Sequence, residues 1–244
     1  MTETTHRVWI FANGEIPDLE RLRDMIQPDD RLIAADGGYH AMVKLGLTPE
    51  RVIGDLDSLL PEEIERLTQM GVPLERYPVD KDETDLELAI NRALSFNFQE
   101  LRIAGALGGR LDQTLGNLFL LAQPNLAGKD VKLEDGTEQV FLIRDTAEII
   151  GRVGDTVSLL PLGGPAQGVV TEGLKFPLKS EGLPLKSEGF PLKSEGFPLG
   201  NEVIRLHGET LVPERTRGIS NVLLAERGTV RLSKGILICI LRRA

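Results

Sequence analysis

The protein is a chain of 244 residues, of which 41% are hydrophobic and 27% are charged. This is an ordinary globular composition, and the length allows one large domain or two modest ones. The formal net charge of −9, without a clustered basic stripe, argues against binding to a nucleic-acid backbone. The single cysteine, Cys239, excludes an intramolecular disulfide and a zinc site built from several cysteines.

The apolar runs of the chain are short. Residues 8–12 form a run too short for the core of a secretory signal. Residues 235–241 fall well below the roughly 18 apolar residues that a membrane span needs. We therefore expect no membrane partner and a cytoplasmic location, which the lone cysteine also fits.

The first half of the chain alternates strand-like and helix-like segments. Buried apolar runs predict strands at 8–11, 31–35, 51–53, 74–78, 101–104 and 131–133. Apolar positions at helical spacing predict helices at 18–26, 39–45, 61–70, 84–96 and 111–122. This alternation predicts an α/β domain over residues 1–134, with a mostly parallel sheet and helices on both faces.

From about residue 135 the helical periodicity disappears. Short β-rich runs, punctuated by Gly and Pro, predict strands at 140–143, 156–161, 169–170, 223–225, 229–232 and 236–240. We predict a smaller all-β domain over residues 135–244, in the form of a sandwich or flattened barrel.

A seven-residue repeat interrupts this second half. The sequence PLKSEG follows Phe176, Leu183 and Phe190, and a fading fourth copy begins at Phe197. Pro and Gly in the units forbid the continuous helix of a coiled coil. We predict a tandem duplication in a loop or hairpin at about 176–200 without a catalytic role; the alternative is a contact surface.

Four polar motifs each follow a predicted strand. They are DGG at 36–38, GDLDS at 54–58, DKDETD at 80–85 and GALGGRLD at 105–112. The carboxyl ends of parallel strands lie along one edge of an open sheet, where ligands bind. The sequence therefore predicts that these four segments converge on one cleft.

Three carboxylates in these loops are candidate ligands for Mg²⁺. Asp55 and Asp57 stand two residues apart and project to the same side if the backbone stays extended. Asp85 adds a third carboxylate at the start of the next helix, where Thr84 can cap the helix and offer its hydroxyl to a ligand. Mg²⁺ prefers such oxygen ligands together with substrate phosphates, and a cation relieves the mutual repulsion of the cluster.

The glycines of two motifs are candidates for phosphate binding. Gly37, Gly38, Gly108 and Gly109 carry no Cβ, so the backbone there can come close to phosphate oxygens. The helices that follow present free N–H groups and the positive end of the helix dipole. The guanidinium group of Arg110 adds a positive charge that can donate two hydrogen bonds to one phosphate.

Each motif alone has an ordinary structural explanation. Residues 36–38 are typical of a turn, and the acidic residues at 55–57 are typical of a solvated loop. Residues 82–85 fit the capping box of a helix, and GGR before a helix is a weak phosphate signal. Because all four motifs follow successive strands, a shared site is the better explanation.

The order DGG, GDxDS, DxDxTD and GGRxDQ before a helix resembles the thiamine pyrophosphokinase family. In the second half, PLG at 161–163, GLKFPL at 173–178 and RGISN at 217–221 resemble that family's smaller β domain. The resemblance covers nearly the full chain outside the repeat. It implies a Rossmann-like α/β domain, a β-sandwich domain and a homodimer with thiamine sites near the subunit junction. It also implies transfer of a pyrophosphoryl group from ATP to thiamine, with release of AMP.

The resemblance also implies roles for individual residues. Asp55, Asp57 and Asp85 would hold Mg²⁺ and, with Asp112, take part in catalysis. The nucleotide and pyrophosphate region would be lined by Asp36, Lys81, Asp82, Thr84, Arg110 and Asp112, beside the glycines named above. Ser220 and Asn221 would face thiamine in the partner's cleft. Either Asp85 or Asp112 is a candidate to accept the hydroxyl proton.

Two features depart from the family pattern. The repeat interrupts residues 179–207, where members have a short connection, and the stretch at 236–240 lacks the aromatic residue that some members stack on thiamine. One alternative function is a related pyrophosphokinase for another hydroxymethyl substrate, such as a pterin. Another is a non-catalytic module that binds nucleotide or thiamine, although such a module has less need of three clustered carboxylates.

Overall fold

The computed structural model describes residues 5–176, residue 178 and residues 208–244. Most of the seven-residue repeat, predicted as a duplicated loop, lies outside the described residues. The chain forms two compact units, one of Met1–Leu142 with Ile240–Arg243, the other of Ile143–Cys239 with Ala244. The first unit runs past the boundary predicted after residue 134, because the next strand folds back in antiparallel pairing, with Leu133 opposite Val140.

The first unit has the predicted alternation of strands and helices. Its strands are β1 (Thr5–Phe11), β2 (Arg31–Ala35), β3 (Arg51–Gly54), β4 (Leu74–Arg76), β5 (Phe98–Ala104), β6 (Asp130–Glu134) and β7 (Glu138–Ile143). Its helices are α1 (Leu19–Met25), α2 (Gly38–Lys44), α3 (Pro61–Gln69), α4 (Asp85–Ala93) and α5 (Leu111–Leu120), followed by a 3-10 turn at Pro124–Leu126. The mostly parallel α/β sheet expected from the sequence is confirmed.

The strand order places β1 in the middle of this sheet. Strands run β4-β3-β2-β1-β5-β6-β7, with every pair from β4 to β6 parallel. Both faces of β1 are covered, so its apolar run, including Trp9 and Phe11, is fully buried. The chain steps outward from β1 to β4 and then returns to the other side of β1 as β5. The loops after β1 and β5 therefore flank a topological switch point, where open α/β sheets bind ligands.

The second unit is all-β, as predicted. Its strands are β8 (Thr146–Ile150), β9 (Thr156–Pro161), β10 (Ala166–Glu172), β11 (Glu209–Leu211), β12 (Asn221–Val222), β13 (Arg227–Arg231) and β14 (Leu237–Arg242), whose last residues belong to the first unit. Four of them form an antiparallel sheet in the order β11-β10-β13-β8. No helix among the described residues is long and apolar enough to cross a membrane.

The structure differs from the strand predictions in three places. Strand β8 was not predicted because it is an edge strand in which only Ile149 is buried, so it shows no apolar alternation. Strand β11 is three residues long, too short for a pattern. The strand predicted at 223–225 instead occupies Asn221–Val222, and Leu223 makes only an isolated bridge with Leu174.

Candidate active site

The loops after β1, β2, β4 and β5 line a pocket of about 540 Å³ at the carboxyl edge of the first unit's sheet. The loop after β3 borders it, since Asp55 Oδ2 lies 3.5 Å from Lys81 Nζ, and Lys81 lines the pocket. All four motifs singled out in the sequence therefore lie at one edge. The pocket belongs wholly to the first unit.

The predicted site residues fall into three groups. Those that line the pocket are Asp36, Lys81, Thr84, Asp85, Gly108, Gly109 and Arg110. Asp55 and Asp57 lie beside Asp36, and Gly37 lines a neighbouring pocket of about 550 Å³. Gly38 is buried under β1, and neither Asp82 nor Asp112 is among the lining residues.

Three carboxylates form a compact cluster. Asp36, Asp55 and Asp57 each offer an oxygen, and these oxygens lie within 4.8 Å of one another. Asp36 is buried, and its Oδ1 has no hydrogen-bond partner in the described chain. It adopts a left-handed backbone (φ 43°), held by its N–H donating to the Ile53 carbonyl at 2.8 Å. Three clustered carboxylates, one of them buried with an oxygen that has no partner, are a donor set that fits a hard divalent cation such as Mg²⁺.

The backbone between Asp55 and Asp57 is a turn rather than the extended segment assumed from the sequence. Leu56 has φ 65° and its side chain is buried. The Asp57 N–H donates to Asp55 Oδ1 at 3.1 Å, and this bond is the main reason that the pKa of Asp55 is lowered. The buried Leu56 thus anchors the turn that brings both carboxylates to Asp36.

Asp85 is paired with a lysine from its own loop. Its Oδ1 lies 3.0 Å from Lys81 Nζ, and Thr84 caps α4 by accepting from the Glu87 N–H at 3.2 Å. Burial raises the pKa of Asp85; the Lys81 ammonium opposes this rise, and the charges of Asp55 and Asp36 add to it. Burial alone would lower the pKa of Lys81, but its carboxylate partners raise it. The Lys81 ammonium thus offsets part of the electrostatic repulsion among the carboxylates of Asp36, Asp55, Asp57 and Asp85.

A glycine-rich loop forms the opposite wall. Gly105, Gly108 and Gly109 have φ of 67°, 77° and 66°. A Cβ on Gly105 would lie 2.4 Å from the Ala12 carbonyl oxygen, so only glycine allows this close approach to β1. The loop leads into α5 through Arg110, whose Nη2 lies 2.6 Å from Asp112 Oδ2 in an exposed ion pair.

Sequence reasoning missed several pocket residues. Asn13, Gly14 and Glu15 follow β1, and Gln113 and Asn117 lie on α5. The first three follow a strand, as the four motifs do, so the same topological rule could have found them. Asn117 carries a weaker signal, a polar residue in an otherwise apolar stretch of helix.

The predicted thiamine residues lie in the second unit. Ser220 is exposed, has φ 58° and donates its N–H to Ser158 Oγ at 3.1 Å. The buried Asn221 side chain accepts from the Phe176 N–H at 2.9 Å and donates to the Phe176 carbonyl at 2.7 Å. The amide of Asn221 therefore fixes the backbone at Phe176. A role of either residue towards thiamine stays a prediction.

Two family models match the chain. Residues 22–133 match the model of the thiamin pyrophosphokinase catalytic domain, and residues 144–190 match that of the thiamin pyrophosphokinase vitamin B1 binding domain. The chain belongs to the thiamine pyrophosphokinase family. The catalytic-domain model spans all four motifs of the pocket edge.

Individual members of the thiamine pyrophosphokinase family agree with this assignment. The thiamine pyrophosphokinase of Bacillus subtilis is 28% identical over 236 residues, covering 95% of this chain and 96% of that protein. Thiamine pyrophosphokinase 3 of Oryza sativa is 33% identical over 142 residues, covering 53% and 52%.

Solved structures of the family share the fold. The crystal structure of the Bacillus subtilis thiamine pyrophosphokinase has a TM-score of 0.77 at 24% identity and covers 98% of this chain and 99% of its own. The structure from Candida albicans has a TM-score of 0.73 at 16% identity, covering 98% and 90%.

Proposed function

We propose that the protein is a thiamine pyrophosphokinase, which transfers a pyrophosphoryl group from ATP to the hydroxyl of thiamine and releases AMP. The observation that carries this proposal is the pocket itself, with Asp36 of the carboxylate cluster on one wall and a glycine-rich loop on the other. Such a pair of walls suits a polyphosphate and its metal ion, because transfer depends mainly on positioning and charge neutralisation.

Asp36, Asp55 and Asp57 are the carboxylates that we propose to hold Mg²⁺. Their oxygens are the closest set, and the unfilled Oδ1 of Asp36 is available to a cation. Asp85 is a further candidate because it lies close to Asp36. Both side chains border Gly54, where an added Cβ would lie 2.9 Å from Asp36 Cβ and 3.0 Å from Asp85 Oδ1. When bound, the metal would neutralise charge on the phosphates.

The residues around the cluster would orient the nucleotide. Lys81 reaches across the pocket edge to Asp55 and Asp85, so its ammonium is placed where phosphate charge would gather. Gly108 and Gly109 line the opposite wall, where their backbone can approach phosphate oxygens. Arg110 would have to leave its ion pair with Asp112 to bind a phosphate.

Asp85 is the better candidate to accept the proton of the attacking hydroxyl. It lines the pocket, and burial raises its pKa, which makes it a stronger base than an ordinary aspartate. Asp112 is outside the pocket lining, and its hydrogen bonds with Arg110 lower its pKa. These differences favour Asp85 between the two carboxylates that the sequence left open.

Incubation of the purified protein with ATP, Mg²⁺ and thiamine tests the proposal directly. We expect thiamine pyrophosphate and AMP in equal amounts, measured by chromatography, and no product after chelation of the metal. ADP in place of AMP would mean a simple kinase. Turnover with a pterin but not with thiamine would assign the pocket to another hydroxymethyl substrate.

We also propose that the protein is a homodimer, and one exposed helix face supports this. Helix α5 carries three large apolar side chains at i, i+4 and i+8: Leu111, Leu115 and Phe119 are 71%, 43% and 56% exposed. A contiguous apolar stripe of this kind marks an association surface. A second copy would bury it.

The double change Leu115→Glu with Phe119→Glu is expected to shift the protein from dimer to monomer, because two charges would be desolvated at the interface. Light scattering after gel filtration measures the mass. Met70→Glu, at an exposed apolar residue just after α3, is the control and should leave the mass unchanged. A dimer that survives the double change would exclude this stripe as the interface.

A further inference from the structure

Helix α5 faces the glycine-rich loop with polar rather than apolar side chains. Asn117 is the buried residue of this helix, and its Nδ2 donates to the Ala106 carbonyl at 2.9 Å. One turn earlier, Thr114 Oγ1 lies 3.1 Å from the Gly108 carbonyl and 3.2 Å from that of Arg110. A buried helix position is normally apolar, so the polar side chain of Asn117 needs a reason, whereas Thr114 is half-buried and its hydroxyl contacts the same loop.

Three carbonyl groups of the loop are held by donors from outside it. Gly105 accepts from the Gly14 N–H at 2.8 Å, Ala106 accepts from Asn117, and Gly108 accepts from Thr114. The loop is thus tied to the segment that follows β1 on one side and to α5 on the other. Because Gly105, Gly108 and Gly109 are each free to adopt many backbone conformations, these bonds select the one observed.

The amide groups of the same loop are unused. In the part of the chain that the structure describes, the backbone N–H groups of Ala106, Gly108, Gly109 and Arg110 donate to no protein acceptor. All four residues line the pocket. Successive free amides in a loop of positive-φ glycines form a concavity that binds anions.

We propose that Asn117 and Thr114 are positioning residues, which hold the loop at 105–110 so that its free amides receive oxygens of an anionic polyphosphate. Neither side chain has to touch the reacting atoms. Amides that are already oriented bind an anion without the cost of ordering the loop, and losing this order weakens binding. The inference rests on the proposed function only for naming ATP as the polyphosphate.

The test removes each donor while keeping the side-chain volume. Asn117→Leu and Thr114→Val lack the donor, Thr114→Ser restores the hydroxyl, and Gly116→Ala changes an open position on the same helix. Titration calorimetry with Mg²⁺ and inorganic tripolyphosphate measures affinity without any transfer reaction. Steady-state kinetics then gives KM separately for ATP and for thiamine.

We expect Asn117→Leu and Thr114→Val to raise the Kd for tripolyphosphate and the KM for ATP about tenfold, with KM for thiamine unchanged. Thr114→Ser and Gly116→Ala should keep the wild-type Kd. If Asn117→Leu does not fold, the Kd and KM of Thr114→Val alone test the proposal. Wild-type affinity in both donor-free variants, or no tripolyphosphate binding by the wild type, would overturn the inference. The wild type could also bind tripolyphosphate, and the variants bind it more weakly, without any transfer of pyrophosphate to thiamine. That result would refute the proposed function but support the positioning role.

Discussion

The variant Asp57→Asn is expected to lose transfer activity by roughly a thousandfold or more, because several kcal/mol of metal-dependent charge stabilisation would be lost. Asp57 is exposed, and its Oδ1 accepts from Ser58 Oγ at a long 3.3 Å, so its replacement should leave the fold intact. Asp85→Asn is expected to lose activity to a similar extent, since it removes a pocket carboxylate from beside Lys81.

The assay for these variants is the release of AMP in the presence of ATP, Mg²⁺ and thiamine. Glu62→Gln is the matched control, since it removes an exposed carboxylate on α3, close in sequence to Asp57, and should keep full activity. Thermal melting compares the folds of all three variants. Normal turnover in both Asp57→Asn and Asp85→Asn would refute the metal-site assignment.

The variant Gly38→Ala is expected to lower the free energy of unfolding by about 3 kcal/mol, because the added methyl overpacks a rigid contact. A Cβ on Gly38 would lie 1.8 Å from the Phe11 carbonyl oxygen, which is backbone and cannot turn aside. Helix α2 would have to move away from the central strand. Close packing against β1 therefore accounts for glycine at this position.

Urea unfolding, followed by circular dichroism, measures this loss as a lower midpoint. Gly116→Ala is the control, since a Cβ there has no neighbour within 4 Å and alanine is the better helix former by about 1 kcal/mol. We expect the control to unfold at the wild-type midpoint or above it. Equal midpoints for Gly38→Ala and the wild type would mean that α2 is not held as tightly as its contact with Phe11 indicates.

Much of the first unit could be predicted from the sequence because its elements are long and covered on both sides. Buried parallel strands leave continuous apolar runs such as residues 8–11, and the motif loops follow from sheet topology. The detailed geometry of the site could not be predicted. The left-handed backbones of Asp36 and Leu56 depend on tertiary contacts that no local pattern encodes.

The second unit was harder to predict because its strands are short and partly at edges. In β8 only Ile149 is buried, and β12 has two residues. Side-chain roles were also hidden: the resemblance implies a substrate role for Asn221, but its amide binds the Phe176 backbone. A polar residue type indicates only that a partner is needed, and the fold decides which partner is near.

Residues Ile240–Arg243 complete the first unit from a distant part of the sequence. The side chain of Glu134 is 0% exposed. Arg243, which lies 109 residues further along the sequence, donates from Nη2 to Glu134 Oε2 at 3.2 Å. A buried carboxylate without its cation costs several kcal/mol. During synthesis at about 5–20 residues per second, the unit that carries the pocket therefore lacks this ion pair until residue 243 has been added. The four motifs of the pocket edge, at residues 36–112, are thus synthesised well before Ile240–Arg243, which complete the unit that carries them.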